Sequence, residues 1–242
     1  MIIIYMKVVI DSQKLNQPGE NIKVDLQQVL DNTCDKYSVT PVEISYYVGY
    51  FNLSSSNNLY RYSTGTATFN NALPDGLYSV SSYFDAIKKS ITANGNNPAN
   101  INYTVNSYNG TITIQVTPPY TFSIIQPNMD LLGFNSTQII STSATSDNPV
   151  NFLPHKMLYV HLKQIKNNFN YFNGNRSDVL ARIPITNDNF GTLVRHEFDR
   201  PYINILDNTT ISSLELTLTD ENNNIVDFHG MPVFYTLEIN KC

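Results

Sequence analysis

The sequence predicts an all-β fold, an antiparallel sandwich or barrel with one short helix near 81–93. Three observations carry this. Short runs rich in Tyr, Ile, Val and Thr alternate with a period of two, as Val42, Ile44, Tyr46 and Val48 do against Glu43, Ser45 and Tyr47. Clusters of Asn, Ser, Gly and Pro punctuate those runs, and many short strands between turn signals build sandwiches or barrels. Only one window shifts to a helical period: Tyr83, Phe84, Ile87 and Ile91 share a face, while Asp85, Lys88 and Lys89 lie elsewhere.

Residues 1–10, MIIIYMKVVI, read as a strand. The apolar run is short, Lys7 interrupts it, and it has neither a basic leading segment nor a small-residue cleavage pattern, so a targeting signal is not expected. Residues 11–36 are polar and mixed, with a turn at Pro18-Gly19, and VDLQQVL (24–30) fits a strand or one short helical piece. We read 1–40 as an N-terminal arm and connector, and 41–242 as one domain with a candidate division near 127–135.

Pro41 opens the strand VEISYYVGYFNL, and SSSNN (54–58) follows as a loop. YRYSTGTATF (60–69) reads as a second strand. In LPDGLYS (73–79), Pro74 presets φ and Gly76 supplies a positive φ, so a turn is expected. The helix follows, with Ser81 or Ser82 to cap its start and Asn94-Gly95 to end it. INYTVNSYNGTITIQV (101–116) reads as a hairpin on a two-residue type I′ turn at Asn109-Gly110, with Ile112, Ile114 and Val116 on one face. Further strands are expected in YTFSII, LYVHLKQI, VLARIPI and YINIL. At the end, Leu214, Leu216 and Leu218 alternate with Glu215, Thr217 and Thr219; Asp220–Asn224 turn the chain; Val226 and Phe228 continue the apolar positions; and Gly230 breaks the run before MPVFYTLEI. This reads as a closing hairpin that pins the end of the chain into a sheet.

Composition excludes several function classes. Charged residues are 14% of the 242 and the net charge is −5, with no Lys/Arg block, so a nucleic-acid groove is not expected. No apolar run approaches the ~20 residues of a membrane span. The two cysteines, Cys34 and Cys242, form no CxxC pair and read as free thiols, with a disulfide tying the C-terminus to the arm as the alternative. The histidines are His155, His161, His196 and His229, and no two lie at helical metal-binding spacing. His196-Glu197-Phe198-Asp199 sets an imidazole beside carboxylates, but no activated nucleophile motif accompanies it. Asp220-Glu221-Asn222-Asn223-Asn224 is oxygen-rich yet lacks the glycine and closing Glu of a calcium loop, so it reads as a plain turn. Phosphate-binding glycine loops are absent. The 16 tyrosines, among them Tyr46-Tyr47, Tyr60, Tyr62 and Tyr171 beside Phe172, suit cross-strand packing and interfaces, with sugar stacking as the other use. No enzyme, cofactor or metal is expected.

Several segments resemble the minor capsid, or penton, proteins of Polinton/Maverick elements, adintoviruses and virophages. They are MDLLGF (129–134), STSATSDNPVNFLPHKMLYVHLKQI (141–165), VLARIPI with Gly191, RPYINIL (200–206) and ISSLELTLTDENNNIVDFHGMPVFYTLEI (211–239), preceded by the LPDGLYS turn and its helix. The resemblance spans 73–239 loosely and 129–239 more closely. The residues that carry the pattern are Leu132, Gly133, Phe134, Pro201, Tyr202, Leu218, Asp220, Asp227, Phe228 and Gly230. Two departures stand out: the closing turn has Asn222–Asn224 where relatives often have a glycine, and the segment 1–40 matches nothing in the family. The resemblance implies an antiparallel jelly-roll β-sandwich. It implies a structural virion protein that closes icosahedral vertices as a pentamer beside a double-jelly-roll major capsid protein, assembled in the host cytoplasm or nucleus. The alternatives are a capsid- or fibre-borne attachment module for a host receptor or glycan, and a metal-dependent enzyme on a cupin-like barrel. The last needs a His/Glu cluster that the sequence does not spell.

Overall fold

Leu214, Leu216 and Leu218 are fully buried in the computed structural model, so the alternation at the end of the sequence is a true strand face. The structure describes residues 5–13, 15, 21–31, 36–153, 155–165, 171–172, 175–176, 178–186, 189–199, 203–206 and 210–241. It divides into two units, 1–50 with 155–242, and 51–154.

The first unit begins with β1 (Tyr5–Asp11), β2 (Asn21–Asp31) and β3 (Tyr37–Tyr47). The chain then passes through the second unit, which contains β4 (Leu59–Ser63), β5 (Thr68–Ala72), α1 (Val80–Ala93), β6 (Ile101–Val105), β7 (Ile112–Val116), β8 (Thr121–Ile124), α2 (Gln126–Leu132), β9 (Gln138–Ile140) and β10 (Ser143–Thr145). It returns to the first unit with β11 (Met157–Leu162), β12 (Tyr171–Phe172), β13 (Asn175–Arg176), β14 (Val179–Pro184), β15 (Leu193–Glu197), β16 (Asn204–Ile205), β17 (Thr210–Thr219) and β18 (Val233–Lys241).

In the first unit one sheet runs β1-β18-β3-β15, with β16 also on β3, and the other runs β14-β11-β17-β2. All these pairs are antiparallel. Taking the eight main strands in chain order, the chain crosses between the sheets at each of its first three steps, and the last strand lies between the first and the third. That is jelly-roll topology, and the expected sandwich is present. The buried faces carry Ile10, Ile22, Val39, Ile44, Val160, Leu216, Tyr235 and Leu237.

This arrangement corrects three expectations. The described parts of 1–40 are not an arm: β1 pairs along its whole length with β18, and β2 pairs with β17. The mixed polarity of β2 suits an edge strand with one buried face, where Ile22 and Leu30 are buried. The ends of the chain do not form a hairpin either: β17 and β18 lie in different sheets, and the segment between them makes only a single bridge, Thr219 to Ile225. Pro41 does not open β3 but sits inside it, at a register shift opposite Leu237, the kind of irregularity at which a strand tolerates proline.

The second unit has sheets β5-β4-β8-β9 and β10-β7-β6 around its own core of Tyr60, Tyr62, Phe84, Ile87, Ile91, Ile101, Ile112, Ile114, Phe122 and Leu132. The expected helix forms, with its predicted stripe of Tyr83, Phe84, Ile87 and Ile91 buried. Its cap is Ser79 rather than Ser81 or Ser82: the Ser82 amide donates to the Ser79 hydroxyl, and the Ser79 amide donates back to Ser82 Oγ. A second helix, α2, adds to the expected one; its N-terminus has no side-chain cap and it is only seven residues long, with Pro in its first turn and Gly133 at its end as its only boundary signals. The run 60–69 is a hairpin of β4 and β5 rather than one strand. The turn after β6 is a six-residue loop, 106–111, and not a two-residue turn. Asn109 lacks the positive φ a type I′ turn needs; Gly110 has it, at 69°. The unit boundaries fall at 50/51 and 154/155 rather than near 127–135.

Candidate functional site

The described resemblance-bearing residues lie at core, turn and helix-end positions. Gly133 ends α2 with φ 77°, and a Cβ there would collide with the Asn148 carbonyl. The Leu131 and Gly133 carbonyls accept from the Asn151 and Asn148 amides, so this tag fastens the 146–151 strap while Leu132 and Phe134 enter the core. In the first unit Leu218 and Phe228 are fully buried, and the Phe228 ring meets Tyr46 edge-on at 5.7 Å and Tyr50 at 6.1 Å. Asp227 Oδ1 accepts the His229 amide at 2.6 Å, and Gly230 completes the bend at φ 75°. Pro201 and Tyr202 lie outside the described residues, as do Cys34 and Cys242.

Asp220 shows why the oxygen-rich stretch makes a turn. Its Oδ1 accepts the amides of Asn222 and Asn224, both at 2.8 Å, and its Oδ2 accepts Asn224 Nδ2 at 3.1 Å. Burial pushes its carboxyl up, but these donors, with His155 nearby, outweigh that and hold it below its ordinary value. Its oxygens are therefore occupied within the turn. Among the described residues, no group of three His, Cys, Asp or Glu is placed to hold a metal ion.

The histidines make structural contacts. His161 is the most tightly held. Its Nδ1 lies 2.7 Å from Asp178 Oδ1 and its Nε2 lies 2.9 Å from Thr219 Oγ1. A carboxylate only accepts, so Nδ1 donates to Asp178, and in the neutral ring Nε2 accepts from the threonine hydroxyl. This bond holds Asp178 below its ordinary pKa. The order acid–imidazole–hydroxyl matches a hydrolytic relay, but His161 and Thr219 are both buried and Thr219 is locked in the β11–β17 ladder. The cluster ties residue 178 to the sheet.

Strand register explains part of this cluster. His161 sits opposite Thr217, so it shares a face with Thr219, and that much is legible from alternation. Asp178 has no sequence signal, because its approach depends on β14 pairing with β11, where its neighbour Val179 lies opposite His161. His155 reaches Asp220 at 3.6 Å; burial lowers its pKa against the pull of Asp220 and Glu221. His229 donates Nδ1–H to the Gly49 carbonyl at 2.9 Å. His196 and Glu197 point to opposite faces of β15. Glu197 instead pairs with Arg195 at 2.8 Å, as does Glu43 at 2.7 Å, while His196 packs on Phe198.

Most of the tyrosines singled out in the sequence are core. Tyr46, Tyr60 and Tyr62 are buried, and Tyr62 stacks on Phe69 at 4.8 Å. Tyr108, which periodicity does not mark, is 98% exposed. The outer face of the β1-β18-β3-β15 sheet carries exposed Val9 and Leu193 around the Glu43–Arg195–Glu197 cluster. That mix of apolar residues and satisfied ion pairs suits a protein interface more than a substrate pocket. No helix among the described residues is long and apolar enough to cross a membrane.

No protein-family model matches the chain, and no curated protein matches it. Solved structures do. The mavirus penton protein aligns over 100% of both chains with a TM-score of 0.55 and 12% identity. A chain of the Sputnik virophage aligns over 99% of this chain and 97% of its own, with a TM-score of 0.46 and 10% identity. The chain thus shares the fold of a virophage penton protein over its full length.

Proposed function

We propose that this chain is a structural virion protein, the minor capsid or penton subunit that closes icosahedral vertices. The observation that carries the reading is the shared fold: a jelly roll and its insertion align with the mavirus penton protein from end to end. Three further features support it. The buried polar groups act as structural fasteners rather than as a reaction centre. The outer face of the β1-β18-β3-β15 sheet combines apolar side chains with paired charges. The described residues of the family resemblance are core and turn positions. The protein works by assembly and has no catalytic step. Its partners are further copies of itself and a major capsid protein, and its place is the virion.

A five-fold vertex is a ring of heterologous contacts, each subunit offering two different flanks. Mixed, moderately polar flanks associate weakly until neighbours hold them in place. The test is light scattering and electron microscopy of the purified chain, alone and co-expressed with the major capsid protein of the same genome. The expected result is a monomer or weak oligomer alone, and five-fold vertex density in the presence of the partner. A stable two-fold dimer that ignores the major capsid protein overturns the reading.

A further inference from the structure

We propose that the outer face of the β10-β7-β6 sheet, with Tyr108 on the loop that joins β6 to β7, binds an uncharged oligosaccharide. Strand register builds the face. Ser143 lies opposite Gln115 and Gln115 opposite Asn102; in the next row Thr145 lies opposite Thr113 and Thr113 opposite Thr104. Neighbouring strands stand about 4.8 Å apart and the rows about 7 Å apart, which makes a grid on the scale of a sugar ring.

All six side chains are hydroxyls or amides, and none is charged. Thr104, Gln115 and Ser143 make no side-chain hydrogen bond among the described residues, while Thr113 and Thr145 share one at 2.9 Å. Two charged groups border the face. Lys88 at its edge donates to Asn102 Oδ1 at 3.3 Å, and Asp147 Oδ2 accepts the Asn135 amide at 2.9 Å.

The face is also rigid. Ile101, Ile112 and Ile114 are fully buried behind it, and Tyr103 stacks on Phe84 of α1 at 4.3 Å. The loop that leaves the Thr104–Thr113 row carries Tyr108 on a pinned backbone. Its amide donates to Asn106 Oδ1 at 2.9 Å, the Gly110 amide donates to the Asn106 carbonyl at 2.8 Å, and the Gly110 carbonyl accepts from Val150 at 3.0 Å. An aromatic ring held in water on an ordered loop is a stacking surface for the C–H face of a sugar.

Charge decides between occupants. The first unit's outer faces carry ion pairs, such as Arg195 with Glu43 and Lys163 with Glu215, but this face carries none. Its one bordering cation, Lys88, is little to pair with a nucleic acid, an anionic membrane or a charged protein patch, and binding a neutral polyol to the six uncharged side chains desolvates no ion. The site does not depend on the capsid role.

The experiment uses the full chain with cellohexaose, mannohexaose and chitohexaose as neutral probes, and a heparin hexasaccharide and sialyllactose as charged ones. Amide NMR shifts and tyrosine fluorescence, which no tryptophan obscures, read the binding. The expected result is saturable binding of at least one neutral probe, with shifts confined to β6, β7, β10 and the 106–111 loop. Tyr108→Ala and Gln115→Ala should each weaken it at least about five-fold with unchanged circular dichroism. Both variants should still assemble with the major capsid protein as the parent does, so failure here is separable from failure of the capsid role. No saturable neutral binding up to about 10 mM, preferential binding of the charged probes, or binding indifferent to both substitutions overturns the proposal.

Discussion

The two units are built from the same kind of strand but joined in opposite ways. In the jelly roll, strand partners are far apart in sequence: β1 pairs with β18, β2 with β17, and β3 with β18. In the insertion they are near: β4 pairs with β5, β6 with β7, and β8 with β9. Long-range pairing must meet loop-closure entropy before any contact rewards it. The jelly roll therefore cannot complete its first sheet until the end of the chain arrives, whereas the insertion can assemble from local hairpins and one helix.

That contrast is most exposed to a truncation. Ending the chain after Asp220 removes β18, and with it Val233, Tyr235, Leu237 and Ile239 from the middle of a sheet. We expect an insoluble product, because β1 and β3 are left with open apolar edges. The fragment 51–154 made alone should stay soluble, with the circular dichroism of α1 and a cooperative thermal transition. A folded, soluble truncation would break the comparison, and so would an unfolded insertion fragment.

Point changes inside each unit sharpen it. Phe228→Ala empties a fully buried aromatic site in the jelly roll and should cost about 3–5 kcal/mol. In the insertion the counterpart is polar. Asn52 is buried; its Nδ2 donates to the Tyr78 and Phe152 carbonyls at 2.7 and 2.6 Å, and its Oδ1 accepts the Tyr78 amide at 2.8 Å. It clasps the start of the insertion to its end. Asn52→Leu strands three backbone groups and should cost about 2–4 kcal/mol, read as a lower denaturation midpoint of the fragment 51–154.

Acid should separate the units next. Asp178 and Asp220 have lowered pKa values in the folded jelly roll. A lowered carboxyl contributes stability that is present above its unfolded value near 4 and is lost as pH falls through the folded value. Jelly-roll stability should therefore decline as pH drops below about 4, and Asp220→Asn should flatten that slope while lowering the plateau. Equal slopes in parent and variant would contradict the role given to the turn.

The smallest effect concerns Tyr83, whose buried hydroxyl has no hydrogen-bond partner among the described residues and whose pKa burial pushes up. Tyr83→Phe should be neutral or slightly stabilising, within about 1 kcal/mol, as measured by thermal melting. A clear loss would reveal a partner for that hydroxyl.

What the sequence determined by itself was local. The alternation of Leu214, Leu216 and Leu218, the stripe Tyr83, Phe84, Ile87 and Ile91, and the turn at Asp220–Asn224 each follow from interactions within a few residues, and each stands in the structure. The β-rich class follows from the same local signals, and the family resemblance pointed to the jelly roll. Partner choice was not local. An edge strand such as β2 reads as a polar connector until β17 lies beside it, and β17 with β18 reads as a hairpin until each is claimed by a different sheet. The clusters at His161 and Asn52 were hidden for the same reason. Alternation fixes which face a side chain takes, but only the closed tertiary structure brings Asp178 or Phe152 to that face, because antiparallel pairing is decided by the burial of many distant residues at once.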